Sequence, residues 1–342
     1  MDVSVIGATG YTGVELVRLL NQHQQIDLNI LTSNSFVGQK IADIYPNLKG
    51  EVKHLCQELD MDKISKSSDI VFTALPHGVS MKYVPELLHK GVKVIDLSGD
   101  YRYDNVGIYE KWYREHSSPE LVDSSLYGLV ELFRENLKEA NLIANPGCYP
   151  TVSLLSLAPI VKKGLIKEDS IIIDAKSGAT GAGRKLSLGT HFCEVNNNFK
   201  AYKVFNHRHQ SEIAEKAGIL ANTKVDLTFT PHLLPVNRGI LATIYVDLKQ
   251  EISQAELKEL YQKHYQDDRF VRIFAGDNLP ELKNVVGSNF CDIAVKVNGK
   301  RAIIVGAIDN LIKGSAGQAI QNMNLVAGFD ETEGLTDVGL YL

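Results

Sequence analysis

Residues 3–14, Val-Ser-Val-Ile-Gly-Ala-Thr-Gly-Tyr-Thr-Gly-Val, determine the fold class of this chain. A short apolar strand runs directly into glycines at positions 7, 10 and 13, and apolar residues then recur at helical spacing as far as Leu20. A strand, a glycine turn and a helix in this order begin a dinucleotide-binding βαβ unit, because the backbone N–H groups of the turn bind a pyrophosphate at the positive end of the helix. A tight turn without a ligand is the alternative interpretation. The residues that we expect to bind the cofactor here are Gly7, Thr9, Gly10, Tyr11, Thr12 and Gly13.

Strands and helices alternate from this turn as far as residue 160. The predicted strands are 28–32, 70–74, 92–97 and 140–144, and the predicted helices are 61–66, 81–89 and 151–160. The last of these helices is expected to begin at Pro150. Alternation of this kind predicts a doubly wound parallel sheet.

Beyond residue 160 the pattern changes, and strands dominate. The predicted strands are 170–175, 201–205, 225–231, 239–248, 271–274, 290–297 and 301–308, with helices only at 210–217 and 254–264. Strands this dense predict a mixed or antiparallel sheet with helices on one face, so we expect an α/β domain followed by an α+β domain. The first domain is predicted to span 1–148 and the second, catalytic and oligomerisation domain 149–310. A helix at 316–327 is expected to pack back on the first domain, so that 311–342 completes it.

The composition limits the classes of partner. The chain has 342 residues, of which 44% are hydrophobic and 23% charged, and its formal net charge is −5. This is globular composition, and no apolar run reaches the about 20 residues of a membrane span. Lysine and arginine are scattered, so we expect no nucleic-acid or membrane partner. The four cysteines lack zinc-type spacing and the N-terminus lacks a secretory leader, which predicts no metal site and a cytoplasmic location.

The end of the second predicted strand indicates which dinucleotide binds. Sites for NAD usually carry Asp or Glu at this point, where the carboxylate bonds the ribose 2′-hydroxyl. Here the chain has Ser33, Asn34 and Ser35, with Lys40 following, and no carboxylate. Hydroxyl, amide and ammonium groups suit a 2′-phosphate, so the sequence predicts NADP(H). An ordinary polar turn is the alternative.

Cys148 is the candidate nucleophile. It lies in Asn-Pro-Gly-Cys-Tyr-Pro-Thr, between a predicted strand and a predicted helix. A thiol at a helix N-terminus is exposed to the positive end of the helix dipole, which favours the thiolate. The adjacent Gly147 leaves room for a substrate to approach the sulfur. The alternative is a small apolar residue in a turn, which is our interpretation for the other three cysteines.

A thiolate nucleophile needs a proton carrier, and the triplet His207-Arg208-His209 offers two imidazoles just before a predicted helix. In extended backbone both imidazoles would point to one side and Arg208 to the other. One imidazole would then act on the thiol while the other orients the substrate, and the sequence does not assign the two roles. A structural pair of histidines is the alternative.

Three further segments are candidate anion contacts. Residues 177–185 are glycine-rich and end in Arg184 and Lys185, which suits a carboxylate or a phosphate. Arg102 follows the fourth predicted strand, where doubly wound sheets bind ligands, and is the candidate for a phosphate. Residues 235–239 offer a third arginine, Arg238. Each of these segments is alternatively a solvated loop.

Taken together, these motifs resemble the N-acetyl-γ-glutamyl-phosphate reductase family, within the aspartate-semialdehyde dehydrogenase-like superfamily. The matching segments run from end to end of the chain; they are 7–13, 74–78, 96–102, 127–129, 145–151, 176–178, 181–185, 207–209 and 309–314. Three departures from the family pattern matter. Asn34 stands where members often have Arg, Val130 replaces a usual proline, and Gln210-Ser211 replaces a usual Thr-Pro.

The resemblance implies NADPH-dependent reductive dephosphorylation of N-acetylglutamyl 5-phosphate to the 5-semialdehyde, in arginine biosynthesis. It implies that Cys148 is the nucleophile, that His209 or His207 is the acid/base, and that the active protein is a homodimer or homotetramer. It also implies cofactor contacts from Pro76, Ser177, Gly178 and Asn310. The residues implied or proposed to bind the small-molecule acyl phosphate are Arg102, Asn145, Arg184, Lys185, Arg208 and Arg238.

Three other functions remain open at this stage. Aspartate-semialdehyde dehydrogenase performs the same chemistry on a shorter substrate, and the His-Arg-His triplet argues against it. A second relative reduces glutamyl-type substrates displayed on an amino-group carrier protein. A non-catalytic NADP-binding redox sensor, with Cys148 as its switch, is the alternative from a different class.

Overall fold

The computed structural model describes residues 1–341, and contacts within the chain divide it into two compact units. The first unit contains Met1–Pro146 and Ser315–Thr336. The second contains Gly147–Gly314 and a C-terminal stretch that begins at Asp337. Neither unit is a continuous piece of the chain, because the chain leaves each unit and later returns to it.

The first unit is built on a seven-stranded sheet in which every described pairing is parallel. Its strands, in chain order, are β1 (Asp2–Ile6), β2 (Asp27–Thr32), β3 (Cys56–Gln57), β4 (Ile70–Thr73), β5 (Lys93–Asp96), β6 (Leu126–Tyr127) and β7 (Leu142–Ala144). Their order across the sheet is β3-β2-β1-β4-β5-β7-β6. The chain therefore winds in opposite directions on the two sides of the β1–β4 pair, and the predicted doubly wound parallel sheet is confirmed.

Helices connect these strands. They are α1 (Tyr11–Leu20), α2 (Ile41–Ile44), α3 (Met61–Lys66), α4 (Val84–His89), α5 (Val106–Trp112), α6 (Val130–Phe133) and, from the end of the chain, α12 (Gly317–Ala327). Single 3₁₀ segments lie at Pro46–Leu48, Ser80–Lys82, Pro119–Ser124 and Leu137–Glu139. Nine of the eleven residues of α12 are buried. On this helix Gln318 and Asn322 donate to the carbonyl oxygen of Gly128, at 3.0 and 2.8 Å, which joins it to the rest of the first unit.

The second unit is built on a mixed seven-stranded sheet, as the density of strands predicted. Its strands are β8 (Ile171–Ser177), β9 (Lys200–Ala201), β10 (Leu227–Leu233), β11 (Ile240–Asp247), β12 (Val271–Ile273), β13 (Cys291–Asn298) and β14 (Arg301–Ile308), in the order β12-β13-β14-β11-β8-β10-β9. Along β11 every second residue, from Ile240 to Val246, is buried and the residues between them are half-buried. This period-2 pattern places one face of the sheet in the core.

The helices of the second unit are α7 (Cys148–Lys162), α8 (Phe192–Val195), α9 (His209–Ala221), α10 (Gln254–His264) and α11 (Leu282–Val285), with 3₁₀ turns at Ala179–Ala182 and Leu188–Thr190. A π-helical turn, Ile312–Ala316, leads into α12. Thirteen of the fifteen residues of α7 are buried, and this helix contacts α9, β11 and β14. It also contains Pro159, which has no N–H to donate to the carbonyl of Leu155 one turn earlier. The hydroxyl of Tyr265 donates to that carbonyl at 2.5 Å.

Three predicted elements differ clearly from the structure. The helix expected at 81–89 is a 3₁₀ turn at Ser80–Lys82 followed by α4 at Val84–His89. The strand expected at 201–205 is limited to Lys200–Ala201, because Lys203 and Phe205 have positive φ angles of 47° and 56°. The helix expected to begin at Pro150 begins at Cys148. Within residues 1–341, no helix is both long and apolar enough to cross a membrane.

Candidate active site

The glycine turn lies in the first unit, where β1 meets β4. Gly7 has a φ of +87°, and a Cβ on it would lie 2.5 Å from the carbonyl oxygen of Ala74, at the end of β4. A Cβ on Gly13 would lie 2.2 Å from the carbonyl oxygen of Gly7. A Cβ on Gly10 would meet only that same oxygen, at 3.8 Å. Backbone packing therefore requires glycine at 7 and 13, while Gly10 faces open space of the kind that a bound pyrophosphate needs.

Hydrogen bonds hold this turn against the end of β2. The Gly7 N–H donates to Thr32 Oγ1 at 3.2 Å, and the Thr9 and Ser33 hydroxyls bond each other at 2.8 Å. The Tyr45 hydroxyl donates to the carbonyl of Thr9 at 2.8 Å. Tyr45 was not singled out from the sequence, since it lies 36 residues from its partner and in no recognisable motif.

The surroundings of the turn fit an anionic cofactor. The first turn of α1 contains no acidic residue, so no carboxylate opposes a phosphate at its positive end. Tyr11 and Thr12 are half-buried there, and the Thr12 hydroxyl bonds that of Ser315 at 3.2 Å. After β2, Ser33 is buried, whereas the other three residues expected to bind the 2′-phosphate, Asn34, Ser35 and Lys40, are exposed. Pro76, after β4, is exposed as well.

Arg102 lies inside the first unit rather than on its surface. Its side chain is 4% exposed, with Nε donating to the carbonyl of Asn145 at 2.7 Å and Nη2 to the carbonyl of Leu97 at 2.8 Å. These bonds join the chain just after β5 to the chain just after β7. The Asn145 side chain is also engaged internally, since it donates to the carbonyl of Ser315 at 3.1 Å and accepts from Asn322 at 3.1 Å. Substrate contacts of Arg102 and Asn145 stay predictions.

Cys148 is the first residue of α7, in the second unit, and it is half-buried. Gly147 is the N-cap and offers no side-chain hydrogen bond. Gly314 packs directly against the cysteine, because a Cβ on it would lie 2.8 Å from the Cβ of Cys148. Cys148 therefore lies at the positive end of a fifteen-residue helix. On one side it packs against the backbone of Gly314, which leaves no room there for a side chain.

The histidine triplet is not extended, contrary to expectation. Arg208 has helical φ and ψ of −54° and −30°, and α9 begins at His209 although the usual proline is absent. Both imidazoles are nevertheless brought together, with ring centroids 4.8 Å apart and each side chain 8% exposed. Helical curvature rather than strand alternation places them side by side, and Arg208 is half-buried.

The two imidazoles differ in their hydrogen bonds. The N–H of His209 donates to Nδ1 of His207 at 3.2 Å, so a neutral His207 carries its proton on Nε2. Burial, together with the charges of Arg208 and Lys203, lowers the pKa of His207 to about 3. His207 is therefore an uncharged donor at neutral pH.

Tyr149 links this pair to the cysteine that precedes it. Its ring lies 5.6 Å from that of His207 and 5.9 Å from that of His209. Its hydroxyl bonds the hydroxyl of Tyr202 at 3.1 Å, and burial raises the pKa of both phenols, that of Tyr202 to about 12. Cys148 is therefore adjacent in the chain to a cluster formed by Tyr149, His207 and His209 in the second unit.

A second polar cluster lies at the ends of β8, β11 and β14. Asn310 accepts from the N–H of Gly239 at 2.8 Å and donates to the hydroxyl of Thr180 at 3.0 Å. The N–H of Gly178 donates to the carbonyl of Gly239 at 2.9 Å, which adds the end of β8 and Ser177 to the same cluster. Three of the residues predicted for the cofactor, Ser177, Gly178 and Asn310, therefore lie together in the second unit.

The predicted substrate cations of the second unit differ in their exposure. Arg238 pairs with the fully buried Asp309 at 3.3 Å, whereas Arg184 and Lys185 are exposed. Asp309 was not singled out from the sequence; it also accepts the N–H groups of Leu311 and Ile312. Across residues 1–341, no group of three or more histidine, cysteine, aspartate or glutamate side chains has the arrangement of a metal site.

Comparison with known families gives two matches that together cover most of the chain. A family described as the semialdehyde dehydrogenase NAD binding domain matches residues 2–140. A family described as the semialdehyde dehydrogenase dimerisation domain matches residues 148–310.

Curated relatives are similar over their whole length. Proteins named N-acetyl-gamma-glutamyl-phosphate reductase from Acetivibrio thermocellus and Halothermothrix orenii are each 52% identical, and the alignments cover 99% or more of this chain and 99% of theirs. The protein of that name from Desulfotalea psychrophila is 48% identical, with 100% and 99% covered.

Solved structures share the fold at low identity. Aspartate semialdehyde dehydrogenase II from Vibrio cholerae, complexed with ASA, has a TM-score of 0.73 at 18% identity, covering 96% of this chain and 98% of that one. Aspartate semialdehyde dehydrogenase with NADP from Candida albicans has a TM-score of 0.68 at 16% identity, covering 95% and 98%. These likenesses support the predicted fold class.

Proposed function

The chain belongs to the N-acetyl-gamma-glutamyl-phosphate reductase family, and from this premise we propose that it reduces N-acetyl-L-glutamyl 5-phosphate to the 5-semialdehyde through a thioester on Cys148. As a member of this family, the protein is an oxidoreductase of arginine biosynthesis. The observation that carries the chemical proposal is that Cys148 begins α7 and that the next residue, Tyr149, packs its ring against two buried imidazoles.

The thiolate of Cys148 attacks the acyl carbon of the substrate. A sulfur–carbon bond forms, the bond from carbon to the phosphate oxygen breaks, and inorganic phosphate leaves with its electron pair. The positive end of α7 stabilises the thiolate before the attack. The thioester that results accepts a hydride, whereas a free carboxylate does not. After reduction, the carbon–sulfur bond breaks, which releases the aldehyde and regenerates the thiolate.

We assign the proton transfers to His209. Its neighbour His207 has Nδ1 occupied by the N–H of His209 and stays uncharged at neutral pH, so it is suited to donating one fixed hydrogen bond. His209 would accept the thiol proton, give a proton to the oxygen of the reduced intermediate, and take that proton back as the carbon–sulfur bond breaks and the aldehyde forms. This assignment is our proposal for the two histidines, whose roles the sequence left open.

The protein binds a nucleotide cofactor, and we propose that it is NADPH. When bound, the reduced nicotinamide supplies the hydride. Gly10 leaves room for the pyrophosphate at the start of α1, and the absence of a carboxylate directly after β2 favours a 2′-phosphate. Lys40 is the exposed cation that follows β2. The remaining proposed contacts are Thr9, Tyr11, Thr12, Ser33, Asn34, Ser35, Pro76, Ser177, Gly178 and Asn310.

The substrate carries a phosphate and an α-carboxylate, and we propose cationic partners for both. Arg184 and Lys185 are exposed at the end of the glycine-rich loop, and Arg208 adjoins both imidazoles. Arg238 is held by Asp309, which fixes the direction of its guanidinium. Arg102 and Asn145 complete the proposed set, although their described bonds are internal.

A steady-state assay of NADPH oxidation with a panel of acyl phosphates tests this proposal. We expect turnover with N-acetylglutamyl phosphate, little with aspartyl phosphate, and loss of activity in Cys148→Ser. Cys193→Ser is the matched control, because Cys193 is exposed and lies outside the cluster. Near-normal reductase activity in Cys148→Ser would overturn the proposal. Preference for a carrier-linked glutamyl phosphate would favour the related lysine-type enzyme, and NADPH binding without turnover would favour a redox sensor.

We also propose that the second unit forms a homodimer or homotetramer, in the cytoplasm, where cysteines such as the four here persist without disulfides. The apolar arm, residues 184–206, exposes large side chains that an isolated subunit would leave in water. Leu186, Leu188 and Phe192 are 95%, 80% and 73% exposed. The match of 148–310 to a dimerisation domain supports a second copy of this chain as the partner.

Sedimentation velocity tests the arm as the subunit contact. We expect Leu188→Ser/Phe192→Ser to sediment as a smaller species than the parent while keeping its circular dichroism spectrum. Val338→Ser is the control, because Val338 is 72% exposed but lies outside the arm. An unchanged sedimentation coefficient in the double variant would place the contact elsewhere.

A further inference from the structure

Two helices of the second unit begin at the two residues that the proposed reaction uses. Cys148 is the first residue of α7, and His209 is the first residue of α9. These helices pack against each other extensively. The relative position of the sulfur and the imidazole is therefore set by how the starts of the two helices are joined.

A buried carboxylate makes that connection. Glu212 lies one turn into α9 and is 0% exposed. Its Oε1 accepts a hydrogen bond of 2.9 Å from the N–H of Gly147, the N-cap residue that directly precedes Cys148. One side chain thus connects the backbone beside the nucleophile to the helix that carries the proton carrier.

The first N–H groups of a helix have no partner inside it, so they must bond to something else or remain unsatisfied. A buried N–H without an acceptor is costly, and the chain near Gly147 would rotate to find one. Rotation of that peptide would move Cys148, which is covalently attached to it. Glu212 removes this freedom by supplying a fixed acceptor.

We propose that Glu212 is a positioning residue, which holds the Gly147–Cys148 peptide in the orientation that directs the sulfur toward His209. The proposal rests on the function proposed above. Glu212 acts through Gly147 and need not touch the substrate. Other charged groups of its helix are Glu215 and the buried Lys216, which pair with each other at 3.4 Å. The role assigned here depends on the acceptor oxygen of Glu212, and a glutamine amide would supply the same acceptor.

Variants of Glu212 in a Cys193→Ser background test this, since Cys148 is then the most exposed of the remaining cysteines. We expect Glu212→Gln to keep kcat within about threefold, because its amide oxygen still accepts from Gly147. Glu212→Ala should lower kcat by about 100-fold with little change in KM. This is the loss expected when a reacting group, here the sulfur of Cys148, is displaced by about 1 Å. Both substitutions remove the charge of Glu212, so the difference between them isolates the hydrogen bond. The pH midpoint of iodoacetamide alkylation at Cys148, followed by mass spectrometry, should be higher in Glu212→Ala than in Glu212→Gln.

Controls separate this role from general destabilisation. Glu259→Gln removes one exposed charge from α10, which carries no proposed site residue, and should leave both readouts unchanged. If Glu212→Ala does not fold, Glu212→Asp replaces it as the test. The aspartate side chain is shorter by one methylene, so its carboxylate lies farther from the N–H of Gly147. This variant should therefore have a lower kcat and a higher alkylation midpoint than the parent. The proposal would be overturned if Glu212→Ala showed the kinetics of the parent, or if Glu212→Asp did so where the alanine variant is unfolded. Equal impairment of Glu212→Gln and Glu212→Ala would overturn it as well. An active Cys148→Ser would instead overturn the proposed function itself.

Discussion

Gly13 packs so closely against the turn before it that any side chain at this position meets the backbone. A Cβ there would lie 2.2 Å from the carbonyl of Gly7, and backbone cannot move aside as a flexible side chain can. We expect Gly13→Ala to lower the free energy of unfolding of the first unit by about 2 kcal/mol, within the range for overpacking. Urea titration with a fluorescence readout measures it.

Gly10→Ala is the matched substitution in the same turn. Its Cβ would meet only one oxygen, at 3.8 Å, so stability should change by no more than about 0.5 kcal/mol. Its methyl group would occupy space proposed for the pyrophosphate, and KM for NADPH should rise about tenfold, equivalent to about 1.4 kcal/mol. Equal stability of the two variants would contradict this account of the turn.

His207 makes stability depend on pH in a predictable direction. Its pKa is lowered from 6.5 to about 3 in the folded protein, so below pH 6.5 the unfolded chain binds a proton that the folded chain does not. Stability from this group is therefore complete above pH 6.5 and is lost as pH falls toward 3. Between pH 7.5 and 5 the loss should be about 2 kcal/mol.

His207→Asn isolates this contribution, because asparagine keeps an acceptor for the N–H of His209 and does not titrate. Urea unfolding of parent and variant at pH 7.5 and pH 5 gives the comparison. The variant should lose less stability than the parent on acidification. Identical losses would show that the imidazole does not stay neutral in the folded state.

Residue chemistry explains which site residues were predictable. Cys148 and the histidine pair were identified because thiol and imidazole groups carry nucleophilic and proton-transfer chemistry wherever they lie. Glu212 was not singled out from the sequence, since its role comes from a bond to Gly147, 65 residues away in the chain. The internal bonds of Arg102 likewise depend on carbonyls that only the folded chain brings near.

At the scale of elements, α7 tolerates an internal proline because another helix supplies the missing donor. Tyr265, directly after α10, donates to the carbonyl of Leu155 that Pro159 leaves without its usual N–H. Tyr265→Phe should therefore lower the free energy of unfolding of the second unit by about 1–3 kcal/mol, the range for an unsatisfied buried polar group.

Pro159→Ala provides the decisive second variant. Alanine at 159 restores an N–H to the carbonyl of Leu155, so the tyrosine hydroxyl is no longer the sole donor. In a double-mutant cycle, Tyr265→Phe should cost less in the Pro159→Ala background than in the parent. Thermal or urea unfolding of the four proteins measures this, and additive effects would argue against the compensation.

Long periodic elements were predictable and short ones were not. The bounds of α3, α10 and β14 agree with those expected from apolar spacing, because each carries enough residues to show its period. The two-residue strands β3 and β6 and the one-turn helices α2, α6, α8 and α11 were missed, since they have too few residues for a pattern. The seven-residue helix α5 was also missed, although it is longer than α3. The 201–205 segment has strand-like composition, yet positive φ angles end β9 at Ala201.

At the scale of the whole molecule, the first unit depends on a segment from the far end of the chain. Buried α12 supplies donors to Gly128, and Asn145 donates to the carbonyl of Ser315. We expect residues 1–146 alone to lack cooperative unfolding. A protein in which a short Gly/Ser linker joins residues 1–146 to residues 315–336 should unfold cooperatively. A short linker is enough because the hydrogen bond from Asn145 to the carbonyl of Ser315 shows that the two ends lie close together. Calorimetry distinguishes them, and cooperative melting of 1–146 alone would refute the dependence.

This discontinuity has a consequence for synthesis in the cell. The ribosome delivers the N-terminus first, yet the helix that completes the N-terminal sheet is made almost last. While the intervening residues are translated, the nascent sheet lacks α12 and exposes apolar surface that the finished protein covers. Because the segments are synthesised in this order, we expect the nascent chain either to be protected by a chaperone during translation or to be released incompletely folded.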